Sequence, residues 1–411
     1  MGSLLLLTPQ IPYPPRQGTA LRNWGLLQGL STCHEVSLLT FAAPDQSLEP
    51  DPVLLDRVAR IAVMPQPERT VRDRLRDLLT TSRPDLTQRL ISIPFRQQLE
   101  AWLAQYRFDW VLVEGLEMAP YLATCSDSGG RLAFDAHNCE YLLQRRAARS
   151  DWRRPCRWAG ALYSSIQWRR LRRFEAEACR RADLVMAVSE ADAAALRVIA
   201  GDVNPLVIPN GIDIEAYAPA DRRAPADRRA PAGTASGPEM RQPAFIFTGT
   251  MDFRPNVDGV LWFVDKVWPR IRMALPEARF YIVGRRPHTR LERLRDSPDI
   301  VITGEVPDTR PYIDAATVYV VPLLVGGGTR LKLLESTAMG KAIVATPLAA
   351  EGFADPKRAM FLAETAAAFA DACIVLAQDA DLRATWGMRA RAYAEAYDWS
   401  RLLPPLLERL T

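Results

Sequence analysis

The sequence lacks long hydrophobic runs. No window of its 411 residues supplies the roughly 18 consecutive apolar residues that a membrane-spanning helix needs. The short apolar run Leu4–Leu7 has no basic stretch before it and no small-residue cleavage site after it, so it predicts a first buried strand and not a signal peptide. We therefore expect a protein of the cytoplasm.

Cysteine and histidine are also scarce. The six cysteines are scattered without a C-x-x-C pair, and only three histidines accompany them. This pattern argues against a zinc site and against a disulfide framework, and it predicts reduced thiols that serve packing. No strand leads into a G-x-G-x-x-G turn with an acidic residue about 20 positions later, which disfavours a dinucleotide-dependent oxidoreductase.

The composition is that of a folded, soluble protein with one basic region. The chain is 48% hydrophobic and 24% charged, and at about 150 residues per domain its length predicts two core-forming domains. Residues 144–181 contain twelve arginines against three acidic residues, a local charge of +9, whereas the whole chain carries +4. The basic character is therefore local, and we expect no nucleic-acid partner.

Apolar runs alternate with helical patterns along the chain. The runs are continuously apolar, as strands buried on both faces of a parallel sheet must be. The pattern predicts a doubly wound α/β fold, formed twice. The predicted strands are Ser3–Thr8, Val36–Phe41, Trp110–Glu114, Arg131–Ala136, Leu184–Val188 and Leu206–Pro209 in the first half, and Phe245–Thr248, Phe280–Val283, Ile300–Thr303, Thr317–Val321 and Ala342–Ala345 in the second.

The strand pattern predicts the domain organisation. We expect one Rossmann-like domain over residues 1–205, a second over 206–390, and a C-terminal helix over 391–411. Residues 218–237 contain a tandem Asp-Arg-Arg-Ala-Pro-Ala repeat with nothing to bury, which indicates a solvated insertion. Open parallel sheets bind ligands at the carboxyl ends of their strands, and we expect two such sheets to face a cleft.

The most informative segment runs from a buried strand at Tyr319 to Gly340. The strand leads into a glycine turn, and a helix is predicted to start near Thr329, a good N-cap, with Gly340 as its C-cap. The three glycines of the turn are Gly326, Gly327 and Gly328.

Two cations fall at the start of that helix. Arg330 and Lys332 lie where the positive end of the helix dipole disfavours cations by roughly 0.3 to 1 kcal/mol each. A phosphate held by the glycine N–H groups and both cations would reverse the sign of that effect. Glu335, three residues after Lys332, is placed to accept hydrogen bonds from a diol such as ribose. The alternative is an ordinary glycine turn followed by a Lys332–Glu335 surface ion pair.

Other polar and glycine residues are predicted at strand ends. Gly249 and Gly284 each follow a strand of the second half, where glycine permits close approach of a ligand, and Arg254 comes shortly after the first of them. His137 follows a strand of the first half and is a candidate functional residue at the ligand edge. The proline-rich loop that ends at Gly18 leads to the same edge. The alternatives are simple turns, a structural histidine and a plain connection.

These segments, taken together, resemble the GT-B glycosyltransferases of the large retaining family four. The similarity runs in order along almost the whole chain. It rests on Gly326–Glu335, Ala338–Thr346, Ala350–Gly352, Gly249–Asn256, Ala182–Glu190, Val207–Asp213 and the loop Pro9–Gly18.

The resemblance implies two Rossmann-like domains, with a nucleotide-sugar donor in the C-terminal domain and a carbohydrate or lipid-linked acceptor in the N-terminal domain. It implies that the last helix crosses back to the first domain. It assigns Arg330 and Lys332 to the diphosphate, Glu335 to the ribose, and the backbone near Gly284 and Val306 to the base. It further implies that His137 reaches the donor sugar and that Gly18 lies beside the reacting centre.

One position departs from the family pattern. The family often has two glutamates separated by seven residues, and Gly327 occupies the place of the first. Sugar hydroxyls would then be bound by backbone N–H groups of the glycine turn or by residues such as Glu351. The donor sugar therefore stays open.

The predicted site suits glycosyl transfer without a metal or cofactor. Cleavage of a glycosyl–phosphate bond leaves negative charge on the diphosphate, which fixed cations stabilise in the transition state. Retention of configuration is implied by the resemblance. The competing hypotheses are a nucleotide-sugar epimerase of the same fold and, less favoured, the dinucleotide-dependent oxidoreductase.

The basic region contains tryptophans among its arginines. Trp152, Trp158 and Trp168 lie within residues 144–181, a composition suited to an anionic membrane surface. Two hypotheses stay open: a solvated helix face whose tryptophans pack on the core, which is favoured, and peripheral contact with the inner face of a membrane.

Overall fold

The structure is a computed structural model that describes residues 2–15, 18–44, 46–152, 158–219, 238–325 and 330–411. It divides into two compact units. The first consists of Met1–Asn210 and Trp399–Thr411, and the second of Gly211–Asp398.

The first unit contains a parallel sheet of seven strands in the order β3-β2-β1-β4-β5-β6-β7. Strand β4 is buried along its whole length and β1 from Leu4 onward, as expected of strands covered by helices on both faces. The strands are β1 (Gly2–Thr8), β2 (His34–Ala42), β3 (Arg60–Pro65), β4 (Trp110–Glu114), β5 (Arg131–Ala136), β6 (Leu184–Ala187) and β7 (Leu206–Val207).

Helices connect these strands. Several of them begin at a serine whose hydroxyl accepts a hydrogen bond from a backbone N–H group. Ser92 accepts from Phe95 N at the start of α5, and Ser189 accepts from Asp192 N at the start of α9. The helices are α1 (Gly18–Leu30), α2 (Pro52–Leu55), α3 (Val71–Thr80), α4 (Asp85–Gln88), α5 (Ile93–Gln105), α6 (Leu122–Cys125), α7 (Glu140–Trp152), α8 (Trp158–Arg181) and α9 (Glu190–Ala200).

The second unit has its own parallel sheet of six strands in the order β10-β9-β8-β11-β12-β13. The strands are β8 (Ala244–Thr248), β9 (Arg279–Val283), β10 (Ile300–Gly304), β11 (Val318–Val321), β12 (Ile343–Ala345) and β13 (Phe361–Leu362). The helices are α10 (Arg254–Trp262), α11 (Trp268–Ala274), α12 (Arg310–Ala315), α13 (Leu331–Ala338), α14 (Ala366–Gln378) and α15 (Ala380–Ala394).

The chain then returns to the first unit. Two short helices, α16 (Trp399–Leu402) and α17 (Pro404–Leu410), pack Leu403, Leu406 and Leu410 into a core that they share with α1 and β1. Shorter helical turns cover Ala119–Tyr121, Phe263–Val267, Thr289–Leu294, Pro356–Arg358 and Glu395–Tyr397.

The doubly wound α/β prediction is confirmed, and two strands were missed. Each of the eleven predicted strands corresponds to an observed one. The missed strands are β3, whose residues are half-buried or exposed at the sheet edge, and β13, which has only two residues. Neither forms the continuous buried run on which the prediction depended.

The unit boundaries differ from those predicted. The first boundary falls after Asn210 and not after residue 205, because β7 pairs with β6 and completes the first sheet. The returning segment starts at Trp399 and not at residue 391, because α15 and Tyr397 pack in the second unit. The predicted insertion begins with a residue that is not solvated, since Ala218 is 1% exposed; residues 220–237 lie outside the described part of the chain.

The predictions about cysteines and about membrane-spanning helices can be compared with the described residues. Cys33, Cys125, Cys139, Cys179 and Cys373 are free thiols, as predicted, and Cys156 lies outside the described residues. Among the helices of the described ranges, none combines the length and the apolarity needed to cross a bilayer.

Candidate active site

The carboxyl ends of β8, β9 and β10 lie side by side in the second unit. Gly249 follows β8 and its N–H donates to Val283 O (3.0 Å); Gly284 follows β9 and its N–H donates to Gly304 O (3.1 Å). Val306 lies two residues beyond β10 and packs on the core. The strand pattern predicted Gly249 and Gly284 at one edge, and the structure places them there; Val306, named through the family resemblance, follows the neighbouring strand.

Two of these strand ends require glycine. Gly284 has φ +153°, and a Cβ there would lie 1.7 Å from Gly249 O. Gly249 has φ +152°, and its Cβ would lie 2.8 Å from both Lys332 Nζ and Asn256 Nδ2. A side chain at either position would displace the backbone or the two polar groups that converge there.

Lys332 extends from α13 to this strand edge. Its Nζ donates to Asn256 Oδ1 (2.8 Å) and lies 4.0 Å from the centroid of the Phe247 ring. Burial, followed by the nearby charge of Arg330, lowers the Lys332 pKa to about 7. The predicted cation is thus directed toward Gly249, beside a strand end, and its charge is poorly solvated.

The start of α13 differs from the prediction. The helix begins at Leu331 with Arg330 as its N-cap residue, in an extended conformation (φ −84°, ψ 106°), so the predicted start near Thr329 was wrong. Arg330 is half-buried. At the other end, Gly340 adopts φ +63° after the C-cap residue Met339, as expected of a glycine that ends a helix. Four predicted site residues lie outside the described part of the chain: Gly326, Gly327, Gly328 and Thr329.

Glu335 is held by a residue from a distant part of the second unit. Tyr217 Oη donates to Glu335 Oε1 (3.2 Å), and Arg310 lies 5.8 Å from the Tyr217 ring. Burial raises the Glu335 pKa to about 7, although the Tyr217 hydrogen bond and the charge of Lys332 oppose the shift. Lys332 and Glu335 therefore bind different partners, Asn256 and Tyr217, instead of forming the surface ion pair of the alternative hypothesis.

The remaining donor-side candidates lie at neighbouring positions. Arg254 is the first residue of α10, and its Nε lies 3.4 Å from Asp258 Oδ2. Glu351 lies in the turn after β12, where its N–H bonds to Leu348 O. It is Asn256, two residues after Arg254, that reaches Lys332.

In the first unit, His137 follows β5 and contacts a buried carboxylate. Its Nε2 lies 2.8 Å from Glu114 Oε2 and 3.8 Å from Asp135 Oδ2. Burial disfavours the charged ring, but the Glu114 hydrogen bond and the Asp135 charge outweigh it, and the His137 pKa is raised. The second ring nitrogen, Nδ1, faces Gly115, where an added Cβ would lie 3.4 Å away.

A buried arginine organises this cluster. Arg22, 1% exposed, donates from Nε and Nη2 to the two oxygens of Asp135 (2.6 and 3.0 Å). Its Nη1 donates to Ile208 O (3.0 Å) and Asn210 Oδ1 (3.1 Å). Burial alone would raise the Asp135 pKa, but the Arg22 charge outweighs it and the pKa is lowered. The Glu114 pKa is raised to about 7 by burial and by the Asp135 charge.

Glu114, Asp135 and His137 are also the one group of described residues that could hold a metal ion, since their ligand atoms lie within 4.8 Å of one another. Both Asp135 oxygens already accept hydrogen bonds from Arg22. A cation would have to compete with the buried guanidinium, so the donor set fits an ion pair better than a metal.

Gly18 is the exposed first residue of α1, the helix that carries Arg22.

The start of α7 is capped by Glu175 of α8, which accepts hydrogen bonds from Glu140 N (2.7 Å) and Tyr141 N (2.8 Å). The side chain that satisfies these donors therefore comes from another helix, 35 and 34 residues further along the chain.

The sequence did not predict a pocket of about 410 Å³ in the first unit. It opens beyond the ends of β3 and β4, and five of its eight lining residues are charged. The lining residues are Gln66, Pro67, Arg69, Arg74, Asp85, Arg89, Leu90 and Glu117.

The tryptophans of the basic region divide between the two predicted environments. Trp168 packs on the core, with Arg145 and Arg169 over its ring. Trp152 is 48% exposed and Trp158 is 56% exposed. Residues 153–157 lie outside the described part of the chain.

Comparisons with known proteins agree with this architecture. A family model for "Glycosyltransferase Family 4" matches residues 18–216, and one for "Glycosyl transferases group 1" matches residues 242–379. A curated relative, an uncharacterized 44.6 kDa protein in the cps region of Klebsiella pneumoniae, is 22% identical over 115 residues; the match covers 26% of this chain and about 30% of the length of that relative.

Several solved structures share the fold over the whole chain. Sucrose-phosphate synthase from Thermosynechococcus elongatus superposes with a TM-score of 0.68 at 17% identity, covering 100% of this chain and 99% of that one. Anabaena HepE in complex with UDP gives 0.64 at 15% identity, with the same coverage. A glycosyltransferase from Rickettsia africae gives 0.61 at 13% identity, covering 100% and 98%. With both halves matched in order and each sheet of the Rossmann-like type, the chain belongs to the group 1 glycosyltransferases and has the GT-B fold.

Proposed function

We propose that this protein transfers a sugar from a nucleoside-diphosphate donor to a sugar, a glycolipid or a polysaccharide precursor. The observation that carries the proposal is the position of Lys332, whose Nζ lies beside Gly249 and Asn256 at the end of β8. A buried ammonium at a glycine-rich strand end suits a diphosphate, because charge-assisted hydrogen bonds to an anion offset its loss of hydration.

The chemistry follows from the charge that develops during transfer. When the glycosyl–phosphate bond breaks, electrons pass to the leaving diphosphate while the sugar becomes oxocarbenium-like. In the proposed mechanism Arg330 and Lys332 stabilise the diphosphate charge, which lowers the transition state more than the ground state. We further propose that the anomeric configuration is retained, on the basis of the family resemblance.

The other site residues have proposed roles in the same reaction. Glu335, oriented by Tyr217, binds the ribose diol, and the backbone at Gly284 and Val306 contacts the base. His137, supported by Glu114, hydrogen-bonds the transferred sugar. The roles of Gly18, Arg254, Glu351 and the turn Gly326–Thr329 stay predictions.

A uridine nucleotide is the first donor to test, since one of the similar structures, Anabaena HepE, is described in complex with UDP and with UDP-glucose. A thermal-shift panel of uridine, guanosine, adenosine and cytidine diphosphates tests the proposal. We expect one diphosphate to raise the melting temperature of the wild type and to have little effect on Lys332→Ala. Indifference of the wild type to all four would contradict a nucleotide-sugar enzyme.

We propose that no metal is needed, because the cations at α13 take the role of a Lewis acid. Transfer activity should persist after treatment with a metal chelator and dialysis. A loss of activity that Mg²⁺ or Mn²⁺ restores would contradict this. The cluster of Glu114, Asp135 and His137 would then be the first place to look for the ion.

The charged pocket of the first unit is the proposed acceptor site. Its volume, about 410 Å³, falls in the usual range for small-molecule sites, about 300 to 1,000 Å³. Arg69 and Arg74 pair with Asp85, and Arg89 pairs with Glu117. In this proposal the remaining donors and acceptors of these side chains bind the hydroxyl or acidic groups of a carbohydrate.

Residues 144–181 are proposed to contact an anionic membrane. The exposed indoles of Trp152 and Trp158 among arginines support this contact, whereas Trp168 is used for packing. Flotation with vesicles of phosphatidylglycerol and phosphatidylcholine should recover more protein than flotation with phosphatidylcholine alone. Equal recovery would contradict the proposal.

A further inference from the structure

Helix α3, Val71–Thr80, presents an apolar stripe to solvent. Val71 is 81% exposed, Leu75 59% and Leu79 79%, and no residue of the helix is buried. Residues at i, i+4 and i+8 lie on one helix face. The three side chains therefore form a continuous exposed apolar stripe, which folding of the first unit does not explain.

Arginines flank this stripe. Arg72 and Arg76 each follow a stripe residue by one position, about 100° further around the helix, and both are exposed. Residues 69–83 contain five arginines and two aspartates, a local charge of +3. An apolar face bordered by long cationic side chains is the pattern of helices that lie in a lipid headgroup layer.

The polar side of α3 attaches the helix to the first unit. Thr70 and Asp73 form a capping box, and Arg69 Nη2 contacts Asp77 Oδ2 (2.7 Å). From α8, Arg170 Nη2 donates to Leu78 O (2.8 Å). These contacts fix the helix by its polar groups, so the apolar stripe is held outward by the fold.

More exposed apolar surface lies near α3. Arg74 hydrogen-bonds with Tyr163 of α8, and the preceding residue, Leu162, is 56% exposed. Helix α3, although not the stripe itself, therefore contacts α8, which is part of the segment already proposed to contact lipid.

We propose that α3 is a membrane-docking helix, with Val71, Leu75 and Leu79 inserted at the boundary between headgroups and acyl chains and with Arg72 and Arg76 on lipid phosphates. The positive charge favours an anionic lipid surface. A second copy of the chain is a poorer occupant, because a ten-residue helix, about 15 Å long, offers much less than the roughly 800 Å² that each partner of a stable dimer buries. The three stripe residues are not among the residues proposed for the transfer reaction, and they lie outside residues 144–181.

The test compares two triple variants of the full-length chain. Val71→Gln/Leu75→Gln/Leu79→Gln removes the stripe while keeping charge and helix propensity. Met273→Gln/Val375→Gln/Met388→Gln removes three exposed apolar side chains from the second unit and serves as a matched control. Vesicles contain phosphatidylglycerol and phosphatidylcholine, and binding is measured by flotation over a range of lipid concentrations.

We expect the vesicle partition coefficient of the α3 variant to be lower than that of the wild type by about tenfold or more, since each buried methylene contributes about 0.8 kcal/mol to membrane binding. The control variant should bind as the wild type does, and both variants should keep the wild-type melting temperature because none of the replaced side chains is buried. Wild-type binding by the α3 variant would overturn the inference. A wild-type dimer that becomes monomeric in the α3 variant, measured by light scattering without lipid, would assign the stripe to self-association and also overturn it.

A parallel variant, Trp152→Ser/Trp158→Ser, distinguishes the two lipid proposals. If it abolishes flotation while the α3 variant does not, residues 144–181 bind lipid and α3 does not. If only the α3 variant fails to float, α3 is the docking element and the contact through residues 144–181 is contradicted. Transfer activity on a soluble acceptor should be unchanged in the α3 variant. The activity assay therefore tests the proposed function, and flotation tests membrane docking, independently of each other.

Discussion

Lys332 is a single residue at which burial disfavours the charged form of the side chain. Its ammonium rests on Phe247 and donates to Asn256, and burial lowers its pKa to about 7. Near neutral pH the side chain is therefore divided between its two protonation states. A bound diphosphate would favour the ammonium strongly, so ligand binding and protonation should be coupled.

That coupling has a definite sign. At about pH 8, above its pKa, Lys332 is mostly neutral, and binding a nucleoside diphosphate should take up about one proton; at about pH 6 Lys332 is already charged and the uptake should vanish. Calorimetry in buffers of different ionisation enthalpy measures the proton balance. Lys332→Arg stays charged and should bind without uptake. The same uptake in this variant would assign the proton to another group.

Arg22 is a buried cation of the first unit, as Lys332 is of the second, and its replacement should destabilise the first unit. Arg22→Met leaves Asp135 buried without the guanidinium that accounts for both its hydrogen bonds from Arg22, which should lower the free energy of unfolding by about 3 to 5 kcal/mol. Denaturant titration measures the change. The control is Arg60→Met, which breaks the exposed pair with Glu35 and should cost at most about 1 kcal/mol. Equal effects of the two variants would show that burial of the Arg22 pair is not decisive.

At the scale of elements, the ends of strands β8 and β9 form the proposed donor edge through backbone contact. The carbonyl of Gly249 occupies the place where a Cβ on Gly284 would lie. Two loops can approach this closely because neither carries a side chain at the contact. A site of this kind depends on the pairing of the two strands and not on either loop alone.

Gly284→Ala should therefore disrupt the edge. The added methyl would have to displace Gly249 at a positive φ, which should cost about 1 to 3 kcal/mol of stability and weaken nucleotide binding by about tenfold or more. Thermal unfolding and calorimetry measure the two effects. Gly160→Ala, in α8 with no atom within 4 Å of the new Cβ, should change neither. Wild-type binding by Gly284→Ala would show that the edge is not the donor site.

At the scale of the whole molecule, the last residues complete the first unit. Trp399 packs against Gly25 of α1, where a Cβ would lie 2.0 Å from the indole ring. Leu403, Leu406 and Leu410 are buried in the same core. The core of the first unit therefore contains residues from both Leu4–Leu30 and Trp399–Leu410, and it cannot form completely until the second of these segments has been synthesised.

Gly25→Ala should displace this segment. The methyl overlaps a rigid indole, so we expect a loss of about 1 to 3 kcal/mol. The C-terminal segment should also become more sensitive to limited proteolysis, detected with a C-terminal tag. If the variant is as stable and as resistant as the wild type, the packing of Trp399 contributes little to the fold.

The fold was predictable because its signals are local. The runs at β1, β4, β5 and β8 are continuously apolar, and the chain between them is long enough for a helix, which leaves little choice but a parallel sheet. The same criterion, a continuous apolar run, did not predict β3, because that strand is only half-buried. The start of α13 was also misplaced, because Thr329 resembles a cap but the helix begins after Arg330.

The site was predictable only in part. Gly249, Gly284, Lys332 and His137 follow strands or lie at the start of a helix, and position alone made them candidates; their roles stay predictions. Asn256, Tyr217 and Arg22 were not identified, because an asparagine, a tyrosine and an arginine within helices or loops have many possible roles. The proline before Asn256 and the position of Arg22 after the N-terminal loop were the only available signals.

By itself, the sequence determined the eleven strands other than β3 and β13, that the sheets are parallel, and that cations and glycines gather at carboxyl ends. Those properties depend on neighbours within a few residues. Tertiary structure alone decided that Lys332 meets Asn256 across 76 residues of sequence, that Tyr217 holds Glu335 across 118, and that Arg22 neutralises Asp135 across 113. Each pairing depends on strand order and on burial, since desolvation makes a partner necessary and only the folded sheet brings that partner within reach.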